Sequence, residues 1–379
     1  MDLATLGLMR CPMCRGILEV AHRRAVSPTG RLRDGLLGCR TCARRYPVMH
    51  WIPRMLPRER LTEAERLAAD VLALNPDLES VADAGLPPEE RRREIERRLR
   101  SKHLPAGLLD RLLAPAADGE VVDLGLAKDG NELLRALLGR MTRGPESILE
   151  VGGGANGILP AFSRHLRPRH AFLVDLDPDW AEVAQIRDPE AAVIRADALH
   201  LPFPDGALDL LLTADMLERL PKWKGALREF VRVSHEGLVT YGPNRRFPVD
   251  FTHLDAPLVT WLPAGPAVGL AWLHHRLRHT GRTLASLREE LKGLSYIPRT
   301  RAAGELGRLG CMVTNVFRDY SAHTLRRTGG SRGTGLLRRL PWLHGFGTRL
   351  LVLLAAEPHV YLYYRRAEET RSLCARRAS

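Results

Sequence analysis

Lysine is almost missing from this chain. Of its 57 basic residues only Lys102, Lys128, Lys222, Lys224 and Lys292 are lysines, and the rest are arginine. The net charge of +13 over 379 residues therefore reflects coding preference as much as phosphate binding, and it does not alone assign a polyanionic partner. Cysteine is scarce as well. Four of the six stand in two tight pairs, Cys11/Cys14 and Cys39/Cys42, while Cys311 and Cys374 are isolated. A disulfide scaffold needs a much denser set, so this usage favours a reducing, cytoplasmic setting with one metal site. No basic start followed by an apolar run precedes Cys11, so a signal peptide is not expected. One uncharged stretch, Ala256 to Leu273, reaches the lower length limit of a membrane span. Pro257, Pro263, Pro266, Gly265 and Gly269 break it, and unpaired backbone in lipid is costly. It reads as a buried or interfacial loop-and-helix segment.

Hydrophobic residues at 45% and charged residues at 27% describe a globular chain, and the length fits two or three domains. Residues 1–58 read as a small Cys-bearing module, with Ile17–Val20 and Tyr46–Val48 as short strands. Residues 59–140 read as a helical connector. Thr62 and Glu65 fit a capping box at its start, and Glu89 to Lys102 forms a helix of mixed charge. Residues 141–366 change texture. Apolar strands are expected at Ile148–Val151, Ala171–Val174, Ala192–Ile194, Leu208–Leu212 and Gly237–Tyr241, with helices such as Pro178–Arg187 and Trp223–Val233 between them. That alternation means an α/β fold with a parallel sheet covered on both faces. Residues 367–379 form a basic tail.

Gly152-x-Gly154-x-x-Gly157 follows the first of these strands and precedes a helix, so the backbone can turn tightly and approach a ligand. Such a pattern alone is weak. Asp175 strengthens it, because a carboxylate at the end of the second strand can accept both hydroxyls of a ribose. Asp197, just after the third strand, can accept from an adenine amino group. The three elements together point to a nucleoside site, and the glycines fit NAD or S-adenosylmethionine (SAM) equally.

Glu150-Val151-Gly152-Gly153-Gly154, Leu201-Pro202-Phe203-Pro204-Asp205-Gly206 and Thr240-Tyr241-Gly242-Pro243-Asn244 resemble class I SAM-dependent methyltransferases across roughly residues 147–245, with a weaker return near Gly304–Gly310. The resemblance implies a Rossmann-like seven-stranded sheet, with Pro358–Tyr364 suiting the antiparallel strand. It also implies that Glu150, Gly152, Gly154 and Gly157 cradle the methionine part of SAM and that Asp175 takes the ribose. Leu176 and Ala198 would pack on adenine, Asp197 would bond its amine, and Thr213 would face the methyl group. Many relatives carry His where Arg219 stands here. His253 is the leading candidate for a catalytic base, with a structural surface histidine as the other reading, and Asp215 is the second candidate. Asp209 and Glu218 read as structural.

Cys11-x-x-Cys14 and Cys39-x-x-Cys42 form two knuckles that can supply four thiolates to one tetrahedral ion, which leaves no open position and makes Zn2+ structural. The segments Leu8–Gly16, Cys39–Cys42 and Tyr46–Pro53 resemble the small zinc-binding activator subunit of tRNA and protein methyltransferases, here fused to the enzyme. That resemblance implies a module that stabilises or orients the catalytic domain. A zinc ribbon ahead of a methyltransferase also resembles a ribosomal RNA guanine methyltransferase family.

Residues 246–297 read as an insertion after the fifth strand, a lid over the acceptor site or a homodimer surface. His253–Pro263 and Leu294–Ile297 resemble segments of bacterial methyltransferases of cell-envelope glycans and secondary metabolites. The expected acceptor is a hydroxyl or carboxyl of a small molecule or glycan. RNA methylation is the first alternative and a non-catalytic SAM-fold partner subunit the second. From His323 onward, eleven Arg and three Glu with apolar faces at Leu336–Leu343 leave peripheral contact with an anionic membrane as a further expectation.

Overall fold

The structure, a computed structural model, describes residues 3–27, 30–74, 88–100, 113, 130–141, 143–154, 157–250, 253–319, 349–350, 353–354 and 356–367. The amphipathic segment Leu336–Leu343, the tail beyond 367 and most of the connector between 75 and 129 lie outside these residues. The chain packs as two units. One combines residues 1–127, 144–212 and 232–235, and the other combines 128–143, 213–231 and 236–379.

In the first unit a short helix, α1 (Leu3–Gly7), precedes an antiparallel meander of β1 (Leu18–Val26), β2 (Leu32–Cys39), β3 (Arg45–Met49) and β4 (Ile52–Met55). Helix α2 (Glu63–Leu74) begins at the capping box expected from Thr62 and Glu65. The Thr62 N–H donates to Glu65 Oε2 at 2.8 Å, and the Glu65 N–H donates to Thr62 Oγ1 at 3.3 Å. Helix α3 (Pro88–Arg100) buries Ile95 and Leu99 against Val183. The next helix, α4 (Gly130–Leu138), belongs to the second unit. The first unit resumes with β5 (Ser147–Val151), α5 (Leu159–Leu166), β6 (His170–Asp175), α6 (Pro178–Arg187), β7 (Ala192–Ala196) and most of β8 (Leu208–Ala214). Strand β5 is buried at every position, as expected of a parallel strand covered on both faces. Asp177 caps α6 by accepting from the N–H groups of Asp179 and Trp180, and Pro178 fills the first helical position.

The strand order in this unit is β1-β2-β3-β4-β7-β6-β5-β8. Strands β4, β7, β6, β5 and β8 run parallel, and Arg54 lies opposite Arg195 in the β4–β7 register. The Cys-bearing meander therefore continues the parallel sheet. Two arginines facing each other across neighbouring strands would repel. Glu65 on α2 resolves this by pairing with both, with Arg54 through Oε1 at 2.9 Å and with Arg195 through Oε2. Arg54 also lies 3.7 Å from Glu182, which takes Arg98 at 3.0 Å. Arg54 is 2% exposed and Glu65 3%, so four elements are joined by charges buried in the fold.

The second unit contains α4, the end of β8, most of α7 (Trp223–Val233) and most of β9 (Ser234–Tyr241). The insertion comes next, with a two-stranded ribbon, β10 (Val249–Asp250) and β11 (Ala256–Pro257), then α8 (Ala264–Leu277) and α9 (Leu284–Leu291). It has its own core, in which Leu254, Val259, Ala271 and Leu287 pack together. Helix α10 (Arg299–Arg308) leads to β12 (Cys311–Asn315), and β13 (Val360–Arg366) pairs antiparallel with both β9 and β12. Among the described residues, β5 to β9 with β12 and β13 supply the seven strands expected of the Rossmann-like methyltransferase fold. None of the described helices is long and apolar enough to cross a membrane, and Ala256–Leu273 is the loop-and-helix segment expected.

Glu65→Ala leaves Arg54 and Arg195 buried opposite each other. It is expected to lower stability by about 3–5 kcal/mol in denaturant unfolding, the usual effect of removing one partner from a buried ion pair. An unchanged unfolding midpoint would show that the pair carries no net stabilisation.

Candidate active site and metal centre

Strand β5 has β6 on one side and β8 on the other, so the chain changes direction at its carboxyl end, where such sheets bind ligands. The glycine turn lies there. The Gly152 N–H donates to the Val174 carbonyl at 2.8 Å, and Gly152 and Gly154 have φ of +76° and +47°, which glycine adopts without strain. A Cβ on Gly154 would stand 3.4 Å from Asp175 Oδ2, so the bare backbone of the turn meets the acid at the end of β6. Burial lifts the Asp175 pKa to about 6, against the pull of the Asp177 N–H, which donates to it at 2.9 Å.

Glu150 differs from the expectation that it would cradle the donor. It is fully buried, and its oxygens accept from the Ile158 and Leu159 N–H groups at 2.8 Å each, which caps α5. A Cβ on Gly157 would fall 2.4 Å from Glu150 Oε2. Glycine is needed at 157 because this carboxylate fills the space beneath the turn, so Glu150 supports the loop from below. Burial raises its pKa to about 7 although the two N–H donors oppose the rise.

Asp197 follows β7. It accepts from the Leu199 N–H at 2.9 Å and pairs with Arg60, from the segment just after β4. The carboxylate expected to meet adenine thus already holds a guanidinium. Ala198 is buried and Leu176 is exposed.

In the second unit, Thr213 is fully buried at the end of β8, and its Oγ1 has no hydrogen-bond partner among the described residues; the same is true of the Tyr241 hydroxyl on β9. A buried hydroxyl without a partner is costly and marks a place where a bound polar group would be satisfied. Asp215 has φ of +51°, and its N–H donates to the Thr240 carbonyl at 3.1 Å.

His253 is buried, not on the surface as the structural reading of it supposed. The cause is a set of polar neighbours that hold both ring nitrogens. Nε2 lies 3.2 Å from the Gly242 carbonyl oxygen and 3.6 Å from Glu218 Oε1. Nδ1 lies 3.2 Å from Glu290 Oε1 and 3.1 Å from an Arg219 nitrogen. Asp250 fixes the backbone, accepting from the His253 N–H at 2.8 Å. Burial disfavours the imidazolium, but Glu218 and Glu290 outweigh it and raise the His253 pKa to about 9. The bond from His253 holds Glu290 down at about 2. Arg219 is therefore beside an imidazole that the insertion supplies. Glu218, expected to be structural, belongs to this cluster, as do Tyr241, which the sequence marks only as part of the Thr240–Asn244 motif, and Glu290, which no sequence motif marks.

The four paired cysteines converge. Their sulfurs all lie within 4.8 Å of one another, with Cys11–Cys42 at 3.7 Å and Cys14–Cys39 at 3.4 Å. Thiolates around a tetrahedral zinc stand about 3.8 Å apart, so the donor set and spacing fit one metal ion. Tyr46 OH lies 3.0 Å from Cys11 Sγ, a support for the first thiol.

Residues 149–239 match the family model described as a methyltransferase domain, so this part of the chain is a methyltransferase domain on a Rossmann-like sheet. An uncharacterised methyltransferase of Mycobacterium sp. (strain JLS) is 31% identical over 96 residues, covering 25% of this chain and 37% of that protein. The chloroplastic 2-methyl-6-phytyl-1,4-hydroquinone methyltransferase of Spinacia oleracea is 30% identical over 88 residues, covering 23% and 26%. The chain thus spans between 26% and 37% of the length of these curated relatives. Among solved structures, the plantazolicin methyltransferase BpumL in complex with SAH is 12% identical, covering 62% of this chain and 82% of that one at a TM-score of 0.38.

The His253–Glu290 pair sets a pH dependence. His253 is raised above its unfolded value, so its contribution to stability is complete below about pH 6.5 and is lost as pH rises through about 9. Glu290 is depressed, so its contribution fades only as pH falls through about 2. Glu290→Gln is expected to lower the melting temperature more at pH 6 than at pH 10. Equal losses at both pH values would show that the pair is not charged in the fold.

Proposed function

We propose that the protein is a SAM-dependent methyltransferase acting on a hydroxyl or carboxyl oxygen of a small molecule or cell-envelope glycan. The observation that carries this reading is the meeting of the Gly154 backbone with Asp175 at the carboxyl end of β5 and β6, within the segment that matches a methyltransferase domain. By the family resemblance, Thr213 would face the methyl group of the donor. When bound, SAM supplies a methyl group on an electron-poor sulfonium sulfur. The chain would hold it with the Gly152–Gly157 turn and Asp175, with Leu176 and Ala198 beside the adenine. Asp197 would share its carboxylate between Arg60 and the adenine amine.

Methyl transfer to a hydroxyl oxygen releases that group's proton, and the second unit has an acid–imidazole set to receive it. His253 begins as a cation. Glu218 and Glu290 hold that proton on the ring, so His253 would take the acceptor's proton only in the fraction that has first lost its own to solvent. Asp215 is the second acceptor for the proton. A carboxylate acceptor needs no such step. The four thiolates would hold a structural Zn2+ that ties the two knuckles together.

Asp175→Ala is expected to weaken SAH binding at least about tenfold in calorimetry, since it removes a charged hydrogen-bond acceptor, with the fold retained. Unchanged affinity would contradict the ribose assignment. Cys39→Ser is expected to lose the zinc measured by elemental analysis and to melt at lower temperature. A full zinc complement in that variant would contradict the four-thiolate site.

A further inference from the structure

A cavity of about 580 Å³ opens wholly within the second unit, between α7, α8, α9 and the start of α10. Its size is that of a small-molecule site. Trp223, Trp261 and Tyr296 give it aromatic walls, and two arginines, Arg245 and Arg301, give it charge. Among the described residues, no Asp, Glu or Lys lines it. The neighbouring arginines are engaged, with Arg246 on the Leu354 carbonyl at 3.1 Å and Arg299 on Glu357 at 3.2 Å. Arg245 and Arg301 are exposed and pair with no carboxylate among the described residues. Trp261 is 53% exposed, an unusual place for an indole unless something covers it.

Two bonds tie the cavity wall to the polar centre. The Ser295 N–H donates to the Glu218 carbonyl at 2.6 Å. Tyr296 OH donates to Asp250 Oδ2 at 2.9 Å, and the same carboxylate accepts from the His253 N–H. A ligand in the cavity therefore lies against Ser295 and Tyr296, which are bonded in turn to Glu218 and to the Asp250 that holds His253.

We infer that this cavity holds the acceptor, an inference that rests on the methyl-transfer reading, and that the acceptor is an amphiphilic anion with an aromatic or other apolar body and a phosphate or carboxylate group. The aromatic rings bury the body. Arg245 and Arg301 pair with the anion through the forked, charge-assisted bonds that guanidinium makes to phosphate and carboxylate. A neutral glycan would leave both cations unused.

The test titrates the full chain calorimetrically with 1-naphthyl phosphate, and with 1-naphthol and inorganic phosphate as controls that lack the charge or the body. 1-Naphthyl phosphate is expected to bind at least about tenfold more tightly than either control, the range of one charge-assisted bond. The Arg245→Ala/Arg301→Ala double variant is expected to lose that advantage, and Trp261→Ala to weaken 1-naphthyl phosphate while leaving inorganic phosphate unchanged. Binding of 1-naphthol as tight as that of 1-naphthyl phosphate, unchanged binding by the double variant, or no binding by the wild type would each overturn the inference. SAH titration of the same proteins separates the two readings. Retained SAH binding in the double variant shows an intact fold. A wild type that binds 1-naphthyl phosphate but not SAH would remove the methyltransferase reading and leave an anion site.

Discussion

Two arginines that face each other in a sheet, held by one buried glutamate, organise the first unit. Arg54 and Arg195 occupy paired positions of β4 and β7, and Glu65 answers both. Removing such charges from water is expensive, and the arrangement persists only while every partner is present. The Cys-bearing meander, α2, the edge of the parallel sheet and α6 with Glu182 must therefore come together as one body. The segments leaving β4 and β7 inherit that placement. Arg60 leaves β4 by a short turn and reaches Asp197, which leaves β7 by another. The four-cysteine cluster, remote in sequence from the glycine turn, thus belongs to the same unit as the turn and its acids.

The second unit is arranged around a different problem, a buried imidazole between carboxylates. His253 is retained as a cation by Glu218 and Glu290, with Arg219 limiting the excess negative charge. Burial of such a set is hard to justify by packing alone, and strongly shifted groups gather where chemistry is done. On the proposed reading, the proton of an acceptor hydroxyl enters this set, and the cavity walled by Trp223, Trp261 and Tyr296 decides which acceptor arrives.

Strands β5 to β9 could be read from the chain because each carries a short run of mostly apolar residues. Ile148–Val151 and Leu208–Leu212 are of this kind, and the helix begun at Thr62 announced itself through Glu65 three residues later. Strands β2 and β4 did not stand out. Leu32–Cys39 contains Arg33, Asp34 and two glycines, and Ile52–Met55 contains Pro53 and Arg54. Both look like loops locally, and long-range pairing overrides that preference. Arg54 in particular reads as a surface charge, yet its burial depends on Glu65 and Glu182, which sequence spacing does not connect. The cysteine cluster was plain from two close pairs. The imidazole set was half visible, since His253 could be picked out while Glu218 and Glu290, 72 residues apart in the chain, resembled ordinary helical acids.

The most direct test of this account loads the full chain with zinc, the ion proposed for the four cysteines, and strips it with a chelator while SAH affinity and amide hydrogen exchange are followed together. If the meander and the donor pocket form one body, loss of the metal should weaken SAH binding and raise exchange in β7 and β6 in step with β2 and β3. Undiminished SAH affinity, with exchange rising in β2 and β3 alone, would contradict it.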